Sequence, residues 1–549
     1  MKLPVLPGQR EFADIDRHFA KWLASFGGSE QAGMIAAALS RNLRLGHICL
    51  DLGDGPADFG TENDFPWPPT EALLAALKKN RAVGAPGDDR PLVLDPAGRL
   101  YLRRYWEYEE SLACAILGRC DGNAPVKPAG GDMQQLAIET ALARRFVVIS
   151  GGPGTGKTTT VLKILEQMIA RPGGAQLRIA LAAPTGKAAA RLEETLRGGN
   201  ERLPKTASTL HRLLGARPGS AAMRYHAGNP LPVDVMVVDE ASMVPLTMMA
   251  KLFDALPAKA RVILLGDSHQ LASVEPGYVL GDIAAAASTE GSPLRGSLVT
   301  LEKNHRFGSR SAIFALSSAV RDGDMPRAFE ILGAPRQPDL VSAATPALSQ
   351  MTQALKPRVI AGYSACLKES DPGEALKKFQ QFRVLCALRA GPYGAEALNR
   401  KIEALLREEG LVSDTRPVRG MPLLVRRNDP ALRLFNGDTG MLLPSESGAV
   451  MAWFMDDHGG VRAVAPGRLP EWEPAFAMTV HQSQGSEYND VLLVLPPVPN
   501  PVCTRELVYT GLTRARERVE VWFREPVLNA AIASPMRRAS GLRERLGGR

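Results

Sequence analysis

One stretch of this chain, Gly151-Gly152-Pro153-Gly154-Thr155-Gly156-Lys157-Thr158, constrains its fold more than any other. It fits the pattern G-x-x-x-x-G-K-S/T and stands where that pattern has physical meaning. The apolar run Phe146 to Ser150 precedes it, and Val161, Leu162, Ile164, Leu165, Met168 and Ile169 follow at helical spacing. Strand, glycine-rich turn and helix in that order predict a parallel α/β sheet with a phosphate-binding loop at a strand's C-terminal end. Glycines let backbone N–H groups close around phosphate, and the helix N-terminus adds positive potential. Lys157 is then expected at the β and γ phosphates and Thr158 at Mg²⁺, within a nucleotide site of Gly151, Gly152, Pro153, Gly154, Thr155, Gly156, Lys157, Thr158 and Thr159.

Further apolar runs alternate with helical patterns at Arg178 to Pro184, Val235 to Glu240 and Arg261 to Asp267. They read as strands buried on both faces of the same sheet. A phosphate loop needs an acid at a neighbouring strand end, and Asp239 and Glu240 supply it. Asp239 would hold the metal and Glu240 would orient and deprotonate the attacking water; the same two acids would also suit the cap of the next helix. At the next strand end Gln270 is placed to meet the γ-phosphate on the same sheet edge, although a lone glutamine there also fits a surface role.

A second set of strand candidates, Phe382 to Leu388, Val491 to Pro496 and Glu517 to Phe523, predicts a second α/β domain. The expected class is therefore α/β, with two RecA-like P-loop motor domains, a helical N-terminal domain and a small all-β, SH3-like insertion. Residues 1–120 carry helical patterns, with Ser29 as N-cap before Gln31 to Arg41, and 121–131 have the composition of a linker. Residues 132–300 form the first motor domain and 301–549 the second. The insertion spans about 416–466, with turn signals at Asn436-Gly437-Asp438 and His458-Gly459-Gly460. A hairpin over 215–232 is a further expectation.

At 549 residues the chain exceeds one small module, and 45% hydrophobic with 23% charged residues places it among globular rather than disordered proteins. The net charge of +8 suits a polyanionic partner without identifying one. The six cysteines have no C-x-x-C pair or neighbouring histidines, so neither a zinc site nor a disulfide framework is expected. No run of about 18 apolar residues occurs. The chain thus reads as cytoplasmic, with no membrane partner.

With these residues in hand, the chain resembles superfamily 1 helicases, and among them the RecD family, the α subunits of the RecBCD complex (exodeoxyribonuclease V). Ile149 to Leu165 is similar to motif I, Ala183 to Leu192 to motif Ia, and Thr206 to Arg212 to the segment after it. Val237 to Met243 resembles motif II, the Gln270 segment motif III, and Leu301 to Phe307 motif IV. Ala477 to Tyr488 resembles motif V and Leu507 to Val519 motif VI. The RecD likeness also rests on Gly46 to Leu50, Pro91 to Asp95, Leu100 to Trp106, Phe382 to Asn399 and Arg427 to Gly440.

The resemblance implies an ATP-dependent DNA helicase translocating 5′ to 3′, with ATP and Mg²⁺ as cofactors. It implies a motor within a RecBCD-type helicase-nuclease acting in double-strand break repair by homologous recombination. Gln134 would read adenine, since an amide can pair with both N6 and N7; it also fits an ordinary helix position. Arg306 and Arg514 would reach the γ-phosphate from the second domain, or be surface arginines. Thr185, Lys187, Thr209, His211, Thr479, His481, Ser483 and Gln484 match DNA-backbone positions, although the two histidines also fit packed, hydrogen-bonded roles. Such contacts would grip single-stranded and duplex-end DNA without reading sequence. Implied partners are RecB-like and RecC-like subunits in a heterotrimer, with the N-terminal domain docking on the RecC-like chain.

Two other readings stay open: a stand-alone RecD-like helicase, and an ATP-switched regulatory subunit without processive unwinding. Intrinsic nuclease activity has little support. Its nearest acid cluster, Asp371 and Glu374 with Lys377, lies in a helical context.

Overall fold

The computed structural model describes residues 12–26, 29–55, 67–120, 132–197, 200–217, 219–220, 222–304, 306, 311–335, 337–413, 418–429, 431–456 and 460–547. The expected linker 121–131 lies outside the described residues, as do His305, Phe307 and part of the His458 turn.

Each apolar run around the phosphate loop becomes a strand of one parallel sheet. Its order is Leu298–Leu301, Phe146–Gly151, Arg261–Gly266, Val235–Val238, Ile179–Ala183, Ser208–Thr209. Parallel pairing forces each connection to cross back over a face, so the strands between must be apolar on both sides. Phe146 to Gly151 and Val235 to Val238 are buried along their whole length. Helix Lys157–Ala170 covers one face with Val161, Ile164, Leu165 and Met168, which meet Val147, Ile149 and Val237. Burying each such side chain stabilises by about 1.5–3 kcal/mol, and Leu165→Ala would cost about 2–5 kcal/mol.

A second parallel sheet runs Leu340–Ala344, Ala515–Phe523, Tyr488–Val494, Phe382–Cys386, Ala477–Thr479. Arg383 is enclosed in it, its guanidinium 3.8 Å over the Phe379 ring and donating to the Phe379 and Ala475 carbonyls. Between Phe382–Cys386 and Ala477–Thr479 the chain makes a separate five-stranded antiparallel sheet, ordered Val461–Val464, Val450–Met455, Thr439–Pro444, Pro422–Val425, Trp472–Pro474. Its inner residues Leu423, Met441, Leu442 and Phe454 join the core of the second sheet. Two motor-type α/β units with a β-rich insertion are thus present.

The N-terminal part is helical as expected and carries in addition a small sheet that the sequence did not announce. Helices Asp14–Ala24, Glu30–Arg44, Thr70–Lys78 and Arg103–Leu117 accompany a four-stranded sheet, Cys49–Asp51, Arg99–Leu102, Leu92–Leu94, Val83–Gly84. Strands of two to four residues are too short to leave a periodic signal. The expected N-cap is formed, with Ser29 Oγ accepting the Ala32 N–H at 3.3 Å.

Within 215–232 a minimal antiparallel turn forms, His226 and Asn229 bridging through reciprocal backbone hydrogen bonds of 3.2 and 2.8 Å, and Met223 and Tyr225 pack onto the first unit's core. The chain's last stretch leaves the second sheet. The Ala539 N–H donates to His47 Nδ1 at 2.9 Å, the Ala539 carbonyl accepts from Ile48 at 2.8 Å, and helix Leu542–Gly547 packs against Val279–Ser288 and Arg103–Leu117. Among the described residues no helix is long and apolar enough to cross a membrane.

Candidate functional site

The phosphate loop closes the C-terminal end of strand Phe146–Gly151. Gly154 and Gly156 hold φ of +80° and +83°, backbone that L side chains rarely adopt. Gly154 also has no room for a side chain, since a Cβ there would fall 2.5 Å from the Arg306 Cβ. Thr155 Oγ1 donates to the Gly152 carbonyl at 2.9 Å and fixes the turn. Lys157 Nζ is held at 2.5 Å from the Gly151 carbonyl and 3.0 Å from that of Gly152. Its ammonium therefore spans the mouth of the loop. Thr158 and Thr159 follow on the first helical turn, Thr158 partly and Thr159 openly exposed. Gln134, in the first turn of helix Met133–Ala143, reaches the Thr155 carbonyl with its Nε2 at 3.5 Å.

Asp239 follows the last residue of strand Val235–Val238, and Glu240 follows with φ of +51°, a strained value for a non-glycine residue. The Glu240 N–H donates to Asp239 Oδ1 at 2.8 Å. Burial, then the Glu240 charge beside it, pushes the Asp239 carboxyl up to about 6, against the pull of Lys157 and Arg191. A buried carboxylate beside a second acid and next to the phosphate loop suits a divalent cation. Hydroxyl and carboxylate oxygens are the donors Mg²⁺ takes, and one or two carboxylates suffice where phosphates supply the rest. Thr158 and Asp239 fit that group.

The third strand end belongs to Asp267 and Gln270, both almost fully buried. Gln270 Nε2 donates to Asp267 Oδ2 at 3.3 Å. The same oxygen accepts from Tyr509 Oη at 2.8 Å, and Tyr509 belongs to helix Arg505–Leu512 of the second unit. Beside this contact the Leu271 N–H donates to Thr510 Oγ1 at 3.0 Å, and Gln484 Nε2 donates to the Leu271 carbonyl at 2.7 Å. The segment after strand Arg261–Gly266 is thus stitched to the second unit by three hydrogen bonds.

Arg306 lies across the phosphate loop. Asn304 Nδ2 donates to the Pro153 carbonyl and its Oδ1 accepts the Arg306 N–H, both at 2.8 Å. The Arg306 guanidinium meets Glu487 at 2.7 Å. Arg514 is 2% exposed, with Nη1 on the Ser486 carbonyl at 3.0 Å and Nε on that of Thr510 at 3.2 Å. The segment 485–487 therefore holds both arginines.

The predicted DNA residues divide. Thr185 and Thr209 cap helices Gly186–Arg197 and Leu210–Leu213 through the Ala188 and Arg212 N–H groups. His211 is exposed and His481 partly buried. Burial, and then Arg538, pushes His481 down to about 4, so its imidazole is neutral at physiological pH. Thr479 shares hydrogen bonds with Gln482. Lys187, Ser483 and Gln484 are not on an open surface. Lys187 Nζ donates to Ser486 Oγ at 2.9 Å across the seam, Ser483 is fully buried on the Val480 carbonyl, and Gln484 serves the Leu271 bond. Apposition of the two units, which no local pattern reports, engages Lys187 and Gln484, while Ser483 is buried within the second unit itself.

Comparison with known proteins matches three family descriptions along this chain. The N-terminal domain of RecBCD enzyme subunit RecD matches residues 8–101, an AAA domain 134–276, and the UvrD-like helicase C-terminal domain 474–521. RecBCD enzyme subunit RecD of Mycolicibacterium smegmatis is 40% identical, with 97% of this chain and 98% of that protein covered. The chain belongs to the RecD family. The RecD subunit of Mycobacterium tuberculosis is also 40% identical, over 97% of this chain and 94% of its own length. The ATP-dependent RecD2 DNA helicase of Deinococcus radiodurans is 33% identical over 82% of this chain and 59% of that one.

As a RecD-family protein the chain is nucleotide-binding, and its AAA match carries the whole phosphate loop and Gln270. Sequence reasoning passed over Arg191, Asn304, Glu487 and Tyr509. All four lie inside the motif segments quoted for the resemblance, so position marked them. Each has a partner more than 100 positions away in the chain, and nothing local names that partner.

Proposed function

We propose that this RecD-family chain is an ATP-dependent DNA helicase that moves 5′ to 3′ along a single strand, working at duplex ends with RecB-like and RecC-like subunits in double-strand break repair. The observation that carries this reading is the shared cleft: Gly154 of the phosphate loop packs on Arg306, and Asp267 at the neighbouring strand end bonds Tyr509 of the second unit. A nucleotide seated there touches both halves, so its hydrolysis can change their relation.

In this reading Lys157 exchanges the Gly151 and Gly152 carbonyls for the β and γ phosphates, and Gln134 reads adenine. Thr158 and Asp239 hold Mg²⁺, which when bound neutralises phosphate charge. Glu240 orients the attacking water and takes its proton, and Gln270 reports the γ-phosphate. Arg306 and Arg514 meet charge developing in the transition state, a contribution worth roughly 10³–10⁵ in rate. Thr185, Thr209, His211 and His481 grip DNA backbone, and their alternation with closure moves the strand; Thr479 is as buried as Gln484 and engaged with Gln482.

Lys157→Ala tests the reading. DNA-stimulated ATP hydrolysis and unwinding should both disappear while circular dichroism stays that of the parent; unwinding retained by this variant would exclude a motor built on this site.

A further inference from the structure

The Glu487 carboxylate is 7% exposed and carries three guanidiniums. Oε1 takes Arg306 at 2.7 Å and Arg191 at 2.9 Å, and Oε2 takes Arg516 at 3.0 Å. Burial alone would raise its pKa, but Arg191 and Arg306 hold the carboxyl well below the usual range, so it stays ionised. Arg191 comes from helix Gly186–Arg197 of the first unit and also feels the charges of Glu240 and Asp239. Charge therefore alternates across the cleft, from the two strand-end acids through Arg191 to Glu487 and on to Arg306.

We propose that Glu487 is a positioning residue that holds the Arg306 side chain in waiting, in direct competition with the terminal phosphate of the nucleotide. This rests on Arg306 being a phosphate ligand, as argued above. Three observations favour exchange over a fixed structural bridge. The Arg306 backbone is already seated on the phosphate loop through Asn304, so only its side chain has to turn. Losing Arg306 leaves Glu487 still paired with Arg191 and Arg516, so release does not strand a buried anion, the usual large cost of breaking such a pair. The neighbouring Ser486 carbonyl holds Arg514 Nη1, so one short segment touches both arginines and its shift is felt by both.

The test is equilibrium binding of AMP-PNP and of ADP, with Mg²⁺ and without DNA, to the full chain and to E487Q, R306A and the double variant. Removing the competitor should tighten AMP-PNP about ten-fold, the scale of one charge-assisted hydrogen bond, and leave ADP within about two-fold. In the R306A background E487Q should change neither. Equal effects on AMP-PNP and ADP, an unchanged preference between them, or a gain that persists without Arg306 would each overturn the proposal. If E487Q fails to fold, E487D, which keeps the charge but retracts it, replaces it under the same criteria, with a smaller gain for AMP-PNP. An R306A variant with undiminished preference for AMP-PNP over ADP removes Arg306 from the phosphate site. Lost preference in R306A with no effect of E487Q overturns only the waiting role.

Discussion

Tyr509 donates its hydroxyl to Asp267 at 2.8 Å, joining the two parallel-sheet units directly beside the phosphate loop. The distance a Cβ on Gly152 would keep from this hydroxyl, 2.9 Å, shows how near the loop it stands. Burial first, then the Asp267 charge, keeps the phenol protonated far above its ordinary range, so its proton is available to the Asp267 carboxylate. Because Gln270 bonds the same carboxylate oxygen, Asp267 links a candidate phosphate sensor to the second unit.

Tyr509→Phe removes that donor and leaves the Asp267 carboxylate one partner short. The expected outcome is about a ten-fold loss of DNA-stimulated ATPase kcat, in line with the 1–3 kcal/mol of an unsatisfied buried group. Nucleotide affinity should change less than kcat. Steady-state ATPase with and without single-stranded DNA separates the two.

Gly154→Ala places a methyl against Arg306 and forces a non-glycine residue to φ of +80°. Strain of about 1–3 kcal/mol is expected locally. Titration with a fluorescent ATP analogue should show affinity weakened at least about ten-fold, because the loop must open to relieve the clash. Thermal unfolding should move little.

Asp282 tests the tail's anchorage to the first unit. Burial raises its carboxyl to about 7, with Glu109 and Glu544 adding to the rise and Ser540 and Arg543 opposing it. The folded value lies above the unfolded one, so the contribution to stability is complete below about pH 4 and is lost as pH rises through about 7. Asp282→Asn should therefore stabilise at pH 8 and flatten the pH profile. The gap corresponds to at most about 4 kcal/mol, and the partly exposed side chain brings the expectation to about 2 kcal/mol. Calorimetric Tm at pH 5 and pH 8 checks it: the variant should gain clearly more at the higher pH.

For His481 the displaced value of about 4 means that the imidazole, in the proposed DNA-gripping role, would meet the backbone uncharged. A neutral donor releases no counterion. His481→Ala should weaken single-strand binding by a similar factor at pH 6 and pH 8, with the salt slope unchanged. Fluorescence anisotropy across salt at both pH values decides this, and a loss confined to pH 6 would contradict it.

Much of the nucleotide half could be read without coordinates because its parts are contiguous or recur at strand ends. The phosphate loop needs successive backbone N–H groups, and Asp239 announces itself by ending an unbroken apolar run. Of the β insertion, strand Trp472–Pro474 lies past the expected end at about 466, whereas the Asn436 turn was legible. The N-terminal sheet was not, its strands being too short for periodicity, and the return of Ala539 to His47 left no trace in local pattern.

By itself the sequence determined the family, the two parallel sheets and the identity of the phosphate-loop residues, because hydrophobic period and backbone permissiveness are local properties. Only tertiary structure decided that Lys187 faces Ser486, that Ser483 lies inside, and that Glu487 takes Arg306 together with Arg191. A buried charge or donor must find a partner wherever packing brings one, and for Lys187 and Glu487 packing across two units made the choice.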